Sequence, residues 1–125
     1  MLLVETYLAE SPGMGLGVFS KHFIKKGTVI WEFVEGFDIE VKEDKYKLLT
    51  DVQKAYVDKY FWKEANYYYS SCDYSNFQNH SFTPNSIALD DKMVAARDIL
   101  PDEEILVNYQ TFDDDFNSYK ETLKW

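Results

Sequence analysis

The sequence predicts a small, mostly β protein with one short central helix. Short runs of β-branched and aromatic residues, bounded by Gly, Pro, Asn and Asp, occur in both halves of the chain and are typical of strands. Only the middle of the chain carries apolar residues at a spacing of three and four, which is typical of a helix. With 125 residues and 46% hydrophobic content, the chain has the size of a single domain with its own core.

Strands on either side of a glycine-rich loop are predicted for the N-terminal part. Val4–Leu8 is the first strand, and the loop Ser11–Gly17 has a glycine at every second position from Gly13 onward. Such glycines permit unusual backbone angles and the close approach of another group. Three further strands follow, the last after a Lys-Lys-Gly turn: Val18–Ser20, Phe23–Ile24 and Thr28–Phe33.

The helix is predicted from about Asp51 to Tyr60, where apolar residues recur with Lys and Asp between them. The segment Asn79–Asn85 is rich in polar and turn-forming residues and is predicted as a loop. Two strands come next, separated by a Pro-Asp turn: Met93–Ile99 and Ile105–Tyr109. Neither an internal repeat nor a linker is visible.

Charge and cysteine content restrict the partners and the compartment. The formal net charge of -9 would repel a phosphate backbone, so direct nucleic-acid binding is disfavoured, whereas basic protein segments would be attracted. A lone cysteine, Cys72, allows no intrachain disulfide and fits a reducing compartment. No apolar run is long enough for a membrane span. We therefore expect an intracellular, cytoplasmic protein, with nuclear or host-delivered locations left open.

Taken singly, the polar motifs have ordinary structural explanations. The glycine loop departs from the dinucleotide-binding pattern, because Gly17 comes one residue early and the following residues favour a strand. His80 has only the distant His22 as a fellow histidine, and no spacing matches a common zinc site. A Ser/His/Asp triad is disfavoured, since Ser81 directly follows His80 and the nucleophile-elbow pattern is missing. We expect no bound metal.

Three segments taken together carry more information than any one of them. They are Gly13-Met14-Gly15-Leu16-Gly17-Val18-Phe19, Asn79-His80-Ser81-Phe82-Thr83-Pro84-Asn85 and Asp102-Glu103-Glu104-Ile105-Leu106-Val107-Asn108-Tyr109. In order and spacing they resemble the SET-domain protein lysine methyltransferases. The resemblance covers about residues 5–110, and it implies the β-clip fold of that family, with small curved sheets and a knot-like C-terminal threading.

The family resemblance also assigns roles to individual residues. It implies S-adenosylmethionine as methyl donor, with no metal, and Tyr109 as the catalytic residue at which the methyl group passes to the acceptor. Asn79 would hold the amino-acid end of the donor, and the backbone of His80 would pair with its adenine. The further donor-binding positions are Gly15, Leu16, Gly17, Tyr109 itself and a tail aromatic, for which Tyr119 and Trp125 are the candidates.

The acceptor side is implied in less detail. Small residues at Val107 and Ala88 fall near positions where bulky side chains in relatives limit the number of methyl groups, so di- or trimethylation would be allowed. The cysteine-rich segment that follows many SET domains is missing, as in short microbial and viral members. The tail, residues 111–125, or the second subunit of a homodimer would then close the site.

Two functional hypotheses follow for this single domain, residues 1–125. The first is a lysine N-methyltransferase that acts on a lysine in a basic protein segment, with the acceptor deprotonated in a poorly solvated aromatic channel beside the cationic donor. The alternative is a catalytically inactive SET-fold domain that binds a basic peptide or protein through its acidic surface.

Overall fold

The computed structural model describes residues 1–120, which fold mainly into short strands. Short helices lie between the strands and at the C-terminal side. The strands are β1 Thr6–Ser11, β2 Gly15–Ser20, β3 Val29–Glu32, β4 Ile39–Lys42, β5 Trp62–Glu64, β6 Tyr67–Ser70, β7 Asn79–His80, β8 Ser86–Leu89, β9 Lys92–Ala95 and β10 Leu106–Val107. The α-helices are α1 Glu43–Tyr46, α2 Asp51–Tyr60 and α3 Phe116–Tyr119.

The strands form four small sheets instead of one large one. β1 and β2 make an antiparallel hairpin, and two three-stranded antiparallel sheets have the orders β3-β9-β8 and β4-β6-β5. The fourth sheet is a parallel pair, in which Leu106 of β10 lies opposite Asn79 of β7 and Val107 opposite His80. This parallel pair brings two of the sequence motifs side by side. The mostly β class expected from the sequence is confirmed.

The glycine-rich segment is mainly strand and not loop, which corrects the prediction for residues 11–17. The turn is short, since the amide of Met14 donates to the carbonyl of Ser11 at 2.9 Å. β2 then begins at Gly15, which lies opposite Ser11, and Gly17 lies opposite Ala9. Two glycines of the motif are therefore held in the ladder of the hairpin, and only the segment between the strands is a turn.

The central helix is confirmed with the predicted bounds, Asp51–Tyr60. Its first turn is fixed by a capping box, in which Thr50 accepts from the amide of Gln53 and the Gln53 side chain accepts from the amide of Thr50. None of its residues is buried, and Val52 is 83% exposed. Its C-terminal end borders the cavity described below.

Several predicted strands have different bounds in the structure. The first is Thr6–Ser11, and Phe23–Ile24 is reduced to an isolated bridge between Ile24 and Ile99. The strand predicted from Met93 to Ile99 ends at Ala95, because the amide of Ala96 bonds the carbonyl of Asn85 instead of a ladder partner. The last strand ends at Val107, and a 3-10 helix, Tyr109–Thr111, begins two residues later.

The core lies between the β1–β2 hairpin, the β3-β9-β8 sheet and the parallel pair. Its buried apolar residues are Val18, Ile24, Ile30, Trp31, Met93, Ala95, Ile99, Ile105 and Val107. Burial of such side chains is the main stabilising contribution in a domain of this size. Within residues 1–120, no helix is long and apolar enough to span a membrane.

Candidate active site

The carboxylate of Glu104, in the third motif, bonds Asn79 of the second motif and Ser11, which lies opposite Gly15 of the first. Its Oε2 accepts from the Ser11 hydroxyl at 2.9 Å, and its Oε1 accepts from the Asn79 side-chain amide at 2.8 Å. The same Nδ2 group of Asn79 also donates to the carbonyl of Leu16 at 2.9 Å. Because both protons of Nδ2 are directed to these two oxygens, Asn79 keeps its Oδ1 as an acceptor for another group. We call Ser11, Leu16, Asn79 and Glu104 the Glu104 cluster.

Position 17 requires a glycine for lack of space, and position 15 requires one for its backbone conformation. A Cβ at position 17 would lie 2.2 Å from Oε1 and 2.9 Å from Cδ of Glu104, so the carboxylate occupies the place of a side chain. At Gly15 the reason is its φ of +83°, and a Cβ there would meet nothing within 4 Å. The backbone at Gly15 is therefore open to a neighbouring molecule, whereas the space beside Gly17 is filled by the protein itself.

Asn85 is a second residue of the second motif that hydrogen-bonds the third motif. It is only 1% exposed, its Nδ2 donates to the carbonyl of Glu104 at 2.7 Å, and its Oδ1 accepts from the amide of Leu106 at 2.8 Å. Glu103 is held by Arg97 and by the amide of Leu100. The side-chain amide of Asn85 thus supplies the third motif with hydrogen bonds that a neighbouring strand would otherwise make.

His80 is engaged in structural contacts. Its Nδ1 accepts from the backbone amide of Tyr109 at 3.0 Å, and its ring packs against the rings of Phe82, Tyr109 and Phe116, with centroids 4.6, 5.2 and 5.1 Å away. Burial lowers the pKa of His80, so the imidazole is neutral at physiological pH. The ring thereby fixes the start of the segment that carries Tyr109, a task that needs no proton transfer.

Tyr109 lies at the junction of the parallel pair and the tail. Its hydroxyl donates to the carbonyl of Gln78 at 2.5 Å, and its ring meets the edge of Phe112 at 6.0 Å between centroids. Burial, together with the nearby Asp113 and Glu104 carboxylates, raises the pKa of Tyr109. The hydroxyl is therefore protonated at physiological pH, and since its proton is directed to Gln78, its oxygen can accept a hydrogen bond.

A cavity of about 700 Å³ lies beside Tyr109, which forms part of its lining. Its size is within the range of small-molecule and side-chain binding sites. Val107 and Ala88, predicted for the acceptor channel, both line it, as do Tyr109 and Tyr119. The remaining lining is largely aromatic and includes Trp31, Tyr60, Phe61, Trp62 and Phe112. The cavity extends past the predicted channel positions, Val107 and Ala88, to the end of α2 and the β8–β9 turn.

The other predicted donor-binding residues lie apart from the cavity lining. Leu16 and Asn79 belong to the Glu104 cluster, Gly15 and Gly17 adjoin it in β2, and His80 contacts Tyr109 directly. The structure thus divides the predicted residues into two groups that meet at Tyr109. Trp125, the second candidate for the adenine contact, lies outside the described residues.

Sequence reasoning missed the aromatic wall of the cavity. Trp62 contacts Trp31 and Phe112 edge-on, with centroids 6.0 and 5.9 Å away, and stacks on Tyr69. These residues come from β3, β5, β6 and the segment after the 3-10 helix and share no spacing, so the sequence held no signal for them apart from the high aromatic content. The lining also holds four carboxylates against two ammonium groups: Asp58, Glu64, Asp90 and Asp113 against Lys59 and Lys92. A cation is therefore favoured in the cavity.

The residues around Gly15 and Leu16 suit S-adenosylmethionine. This donor carries a cationic sulfonium and an ammonium group, and the surface offers an exposed backbone at Gly15 and Leu16 beside the Asn79 Oδ1 acceptor and the Glu104 carboxylate. An exposed backbone next to hydrogen-bond acceptors is compatible with such a molecule. Within residues 1–120, no group of three or more His, Cys, Asp and Glu residues is arranged to hold a metal ion.

Comparison with known proteins identifies the class. The SET domain family model matches residues 15–110, and the chain therefore belongs to the SET-domain family. A crystal structure of a candidate histone methyltransferase from Plasmodium falciparum is similar, with a TM-score of 0.62 and 24% identity over 86% of this chain and 95% of that one. Apo ctPRC2 with two mutations in Ezh2 gives a TM-score of 0.70 at 19% identity, over 92% of this chain and 16% of that one.

These identities are below 25%, so the two structures support the fold alone. None of the curated proteins matches the sequence significantly. Fold and family together support a lysine methyltransferase-type fold, with a mostly β architecture of small separate sheets.

Proposed function

We propose that this protein is an S-adenosylmethionine-dependent protein-lysine N-methyltransferase. The observation that carries the proposal is the position of Tyr109. Tyr109 contacts His80, whose neighbour in the chain, Asn79, belongs to the Glu104 cluster. Tyr109 also lines the aromatic cavity. A residue that borders both a donor surface and an acceptor cavity can order the two reacting atoms.

The donor would bind at the β2 side of the site. The backbone of Gly15 and Leu16 would accept and donate hydrogen bonds there, and the Asn79 Oδ1 would accept from the ammonium group of the donor. The backbone of His80 would contact the adenine, as the family resemblance implies. Tyr119, a tail aromatic that the resemblance offers for the same contact, lies on the cavity wall with Tyr109. When bound, S-adenosylmethionine supplies an electrophilic methyl group on its sulfonium.

The cavity would take the acceptor lysine. Its acidic lining would attract a lysine as a cation. Once the amine lies between the aromatic walls and beside the cationic sulfonium of the donor, desolvation and like-charge repulsion would lower its pKa, so that the neutral nitrogen can act as a nucleophile. The oxygen of Tyr109 can accept a hydrogen bond from that nitrogen, because its own proton is directed to Gln78. Tyr109 then acts by orienting the amine and not by removing a proton, since its hydroxyl is already protonated.

The substrate class follows from charge. The chain has a net charge of -9, and the cavity lining has two more carboxylates than ammonium groups. Both features favour a lysine in a basic protein segment and raise the encounter rate at low salt. Val107 and Ala88 leave space at the cavity wall, which is compatible with more than one methyl group on the acceptor.

Methyl transfer from labelled S-adenosylmethionine to histones and to lysate proteins tests the proposal. We expect transfer by the wild type and a loss of at least about 100-fold in Tyr109→Phe, because the orienting oxygen is removed. Tyr7→Phe is the matched control, since it removes an exposed hydroxyl that bonds Asp102 outside the cavity. Equal activity of Tyr109→Phe and the wild type would overturn the role of Tyr109.

Donor binding, measured by calorimetry, distinguishes the alternative. Binding of the donor without transfer to any protein would favour a SET-fold domain that binds a basic partner and does not methylate it. No donor binding at all would contradict the proposed activity. Mass spectrometry of the product after long incubation reports the number of methyl groups, and a monomethyl product alone would contradict the space assigned to Val107 and Ala88.

A further inference from the structure

The cavity is larger than one lysine side chain needs. Its volume of about 700 Å³ is in the range of pockets that enclose a whole small molecule. Val107, Ala88 and Tyr109 make up only a part of the lining, and much of the rest comes from the end of α2, from β5 and from Phe112. The space beyond the acceptor lysine is therefore available to a second group of the substrate.

Strand β5 contributes an indole and a carboxylate to this space. Trp62 and Glu64 are two residues apart, so their side chains lie on the same face of the strand, and both line the cavity. The indole Nε1 donates to Glu64 Oε1 at 3.2 Å, which holds the carboxylate beside the ring. Lys63, between them, lies on the opposite face and pairs with Glu43 at 3.0 Å. The alternation of the strand thus directs the acidic side chain into the cavity and the basic one away from it.

The Glu64 carboxylate has no cationic partner within residues 1–120. The cavity lining contains two lysines, and in the described part of the chain neither Lys59 nor Lys92 forms an ion pair. The Lys59 ammonium instead lies over the ring of Tyr60, 5.2 Å from its centroid. Burial and two nearby carboxylates raise the pKa of Glu64, so its ionised form is less stable than that of an ordinary glutamate. A cation bound beside Glu64 would offset this loss.

The shape of the Trp62–Glu64 pair favours a flat cation. Trp62 is fixed by three other rings, since Tyr69 stacks on it and Trp31 and Phe112 meet it edge-on. The indole is only partly buried, so the part that lines the cavity can contact a ligand. A guanidinium group can pack flat against an aromatic ring and form two parallel hydrogen bonds with a carboxylate, whereas an ammonium group acts as a point charge. Arginine therefore suits this pair better than a second lysine.

We propose that Trp62 and Glu64 form a subsite for an arginine side chain that lies one or two residues from the acceptor lysine in the substrate. This assignment rests on the proposed function and names the substrate feature that the site selects. Phe112 contacts both Trp62 and Tyr109, with centroids 5.9 and 6.0 Å away, so a single ring connects the subsite with the acceptor position. Neighbouring residues of an extended peptide are about 3.3 Å apart, and the long side chain of a neighbouring arginine can reach the subsite.

Calorimetric binding of short peptides tests the subsite without requiring methyl transfer. Each peptide has one lysine and carries either arginine or citrulline, its neutral isostere, at one position from two residues before the lysine to two residues after it. We expect one position at which the arginine peptide binds about tenfold more tightly than its citrulline counterpart, because a charge-assisted hydrogen bond is gained. In Glu64→Gln this ratio of Kd values should fall below about twofold, since the charge of the acceptor is removed.

Two further variants show whether the effect belongs to the charge at position 64. Glu40→Gln is the matched control, because it neutralises an exposed carboxylate of the same sheet outside the cavity, and it should keep the arginine preference. Glu64→Lys should reverse the preference, so that a peptide with glutamate at the selected position binds more tightly than the arginine peptide. A purely structural role of Glu64 would not produce this reversal.

The possible results distinguish the subsite from the proposed function. No binding, or no arginine preference at any of the four positions, overturns the subsite whether or not the protein transfers methyl groups. An arginine preference that survives in Glu64→Gln, or that lysine matches at the same position, overturns it as well. An arginine preference that depends on Glu64, without methyl transfer to the same peptides, would support the subsite and contradict the methyltransferase activity.

Discussion

The substitution Gly17→Ala should destabilise the protein through Glu104. A Cβ at position 17 would lie 2.2 Å from Glu104 Oε1, so the carboxylate must move away. That movement breaks its hydrogen bonds from Ser11 and Asn79, at 2.9 and 2.8 Å. Each hydrogen bond to a charged group contributes about 1.5 kcal/mol at the lower end of the usual range, which applies because Glu104 is only half-buried, and the sum is about 3 kcal/mol.

Urea denaturation measures this loss. With a slope of about 1.5 kcal/mol per molar urea, the midpoint should fall by about 2 M in Gly17→Ala. Gly15→Ala is the matched control, because its added Cβ would meet no atom within 4 Å. The substitution strains a backbone with φ of +83° and should lower the free energy of unfolding by about 1–2 kcal/mol.

A double-mutant cycle measures how far the effect of Gly17→Ala depends on Glu104. In a Glu104→Ala background the obstacle is gone, and adding the Gly17→Ala substitution should lower the free energy of unfolding by less than about 1 kcal/mol. The remaining close contact would be with the Cβ of Ser11, at 3.1 Å. If Gly17→Ala lowers the free energy of unfolding as much in that background as in the wild type, the Glu104 carboxylate is not what requires a glycine at position 17.

Two further predictions concern the contacts that Asn85 and Arg97 make with the third motif. Asn85→Ala should lower the free energy of unfolding by about 3 kcal/mol, because it leaves the amide of Leu106 without its acceptor and removes a bond to Glu104; a loss below about 1 kcal/mol in urea denaturation would contradict this. The hydrogen bond from Arg97 lowers the pKa of Glu103 below its usual value near 4.5. A lowered carboxyl pKa stabilises the fold above the unfolded value, and this contribution is lost as pH falls through the folded value. The difference in urea midpoint between the wild type and Arg97→Gln should therefore shrink below about pH 4.5, and a difference that stays constant from about pH 7 to about pH 3 would contradict the ion pair.

The parts of the fold that the sequence predicts well are those with local signals. The helix Asp51–Tyr60 has both apolar spacing and the Thr50–Gln53 capping box, and its bounds agree with the structure. The β4-β6-β5 sheet escaped prediction because β4 is mostly exposed and β5 has only three residues of intermediate burial, so neither shows a clear alternation. Its pairing depends on contacts between distant segments, which local patterns do not contain.

For the candidate site, the motifs predict the residues but not the connections between them. The first motif marks Gly17 as a glycine, yet the partner that requires it is a glutamate far along the chain. Tyr109 is predicted at the end of a strand and instead begins a 3-10 helix, because the strand pairs β7 over two residues only. Asp113 accepts a hydrogen bond from the amide of Lys63 in the edge strand β5, a contact between distant segments that the sequence does not reveal.

The Glu104 cluster also bears on how the molecule folds. Ser11 and Glu104 are 93 residues apart, so the Glu104 cluster cannot form until the chain has been synthesised as far as Glu104 and has closed this long loop. A shortened chain that ends before Glu104 would lack the cluster. Because assembly of the site and completion of the fold depend on the same contacts, a ligand bound there would stabilise the entire domain and slow its degradation in the cell.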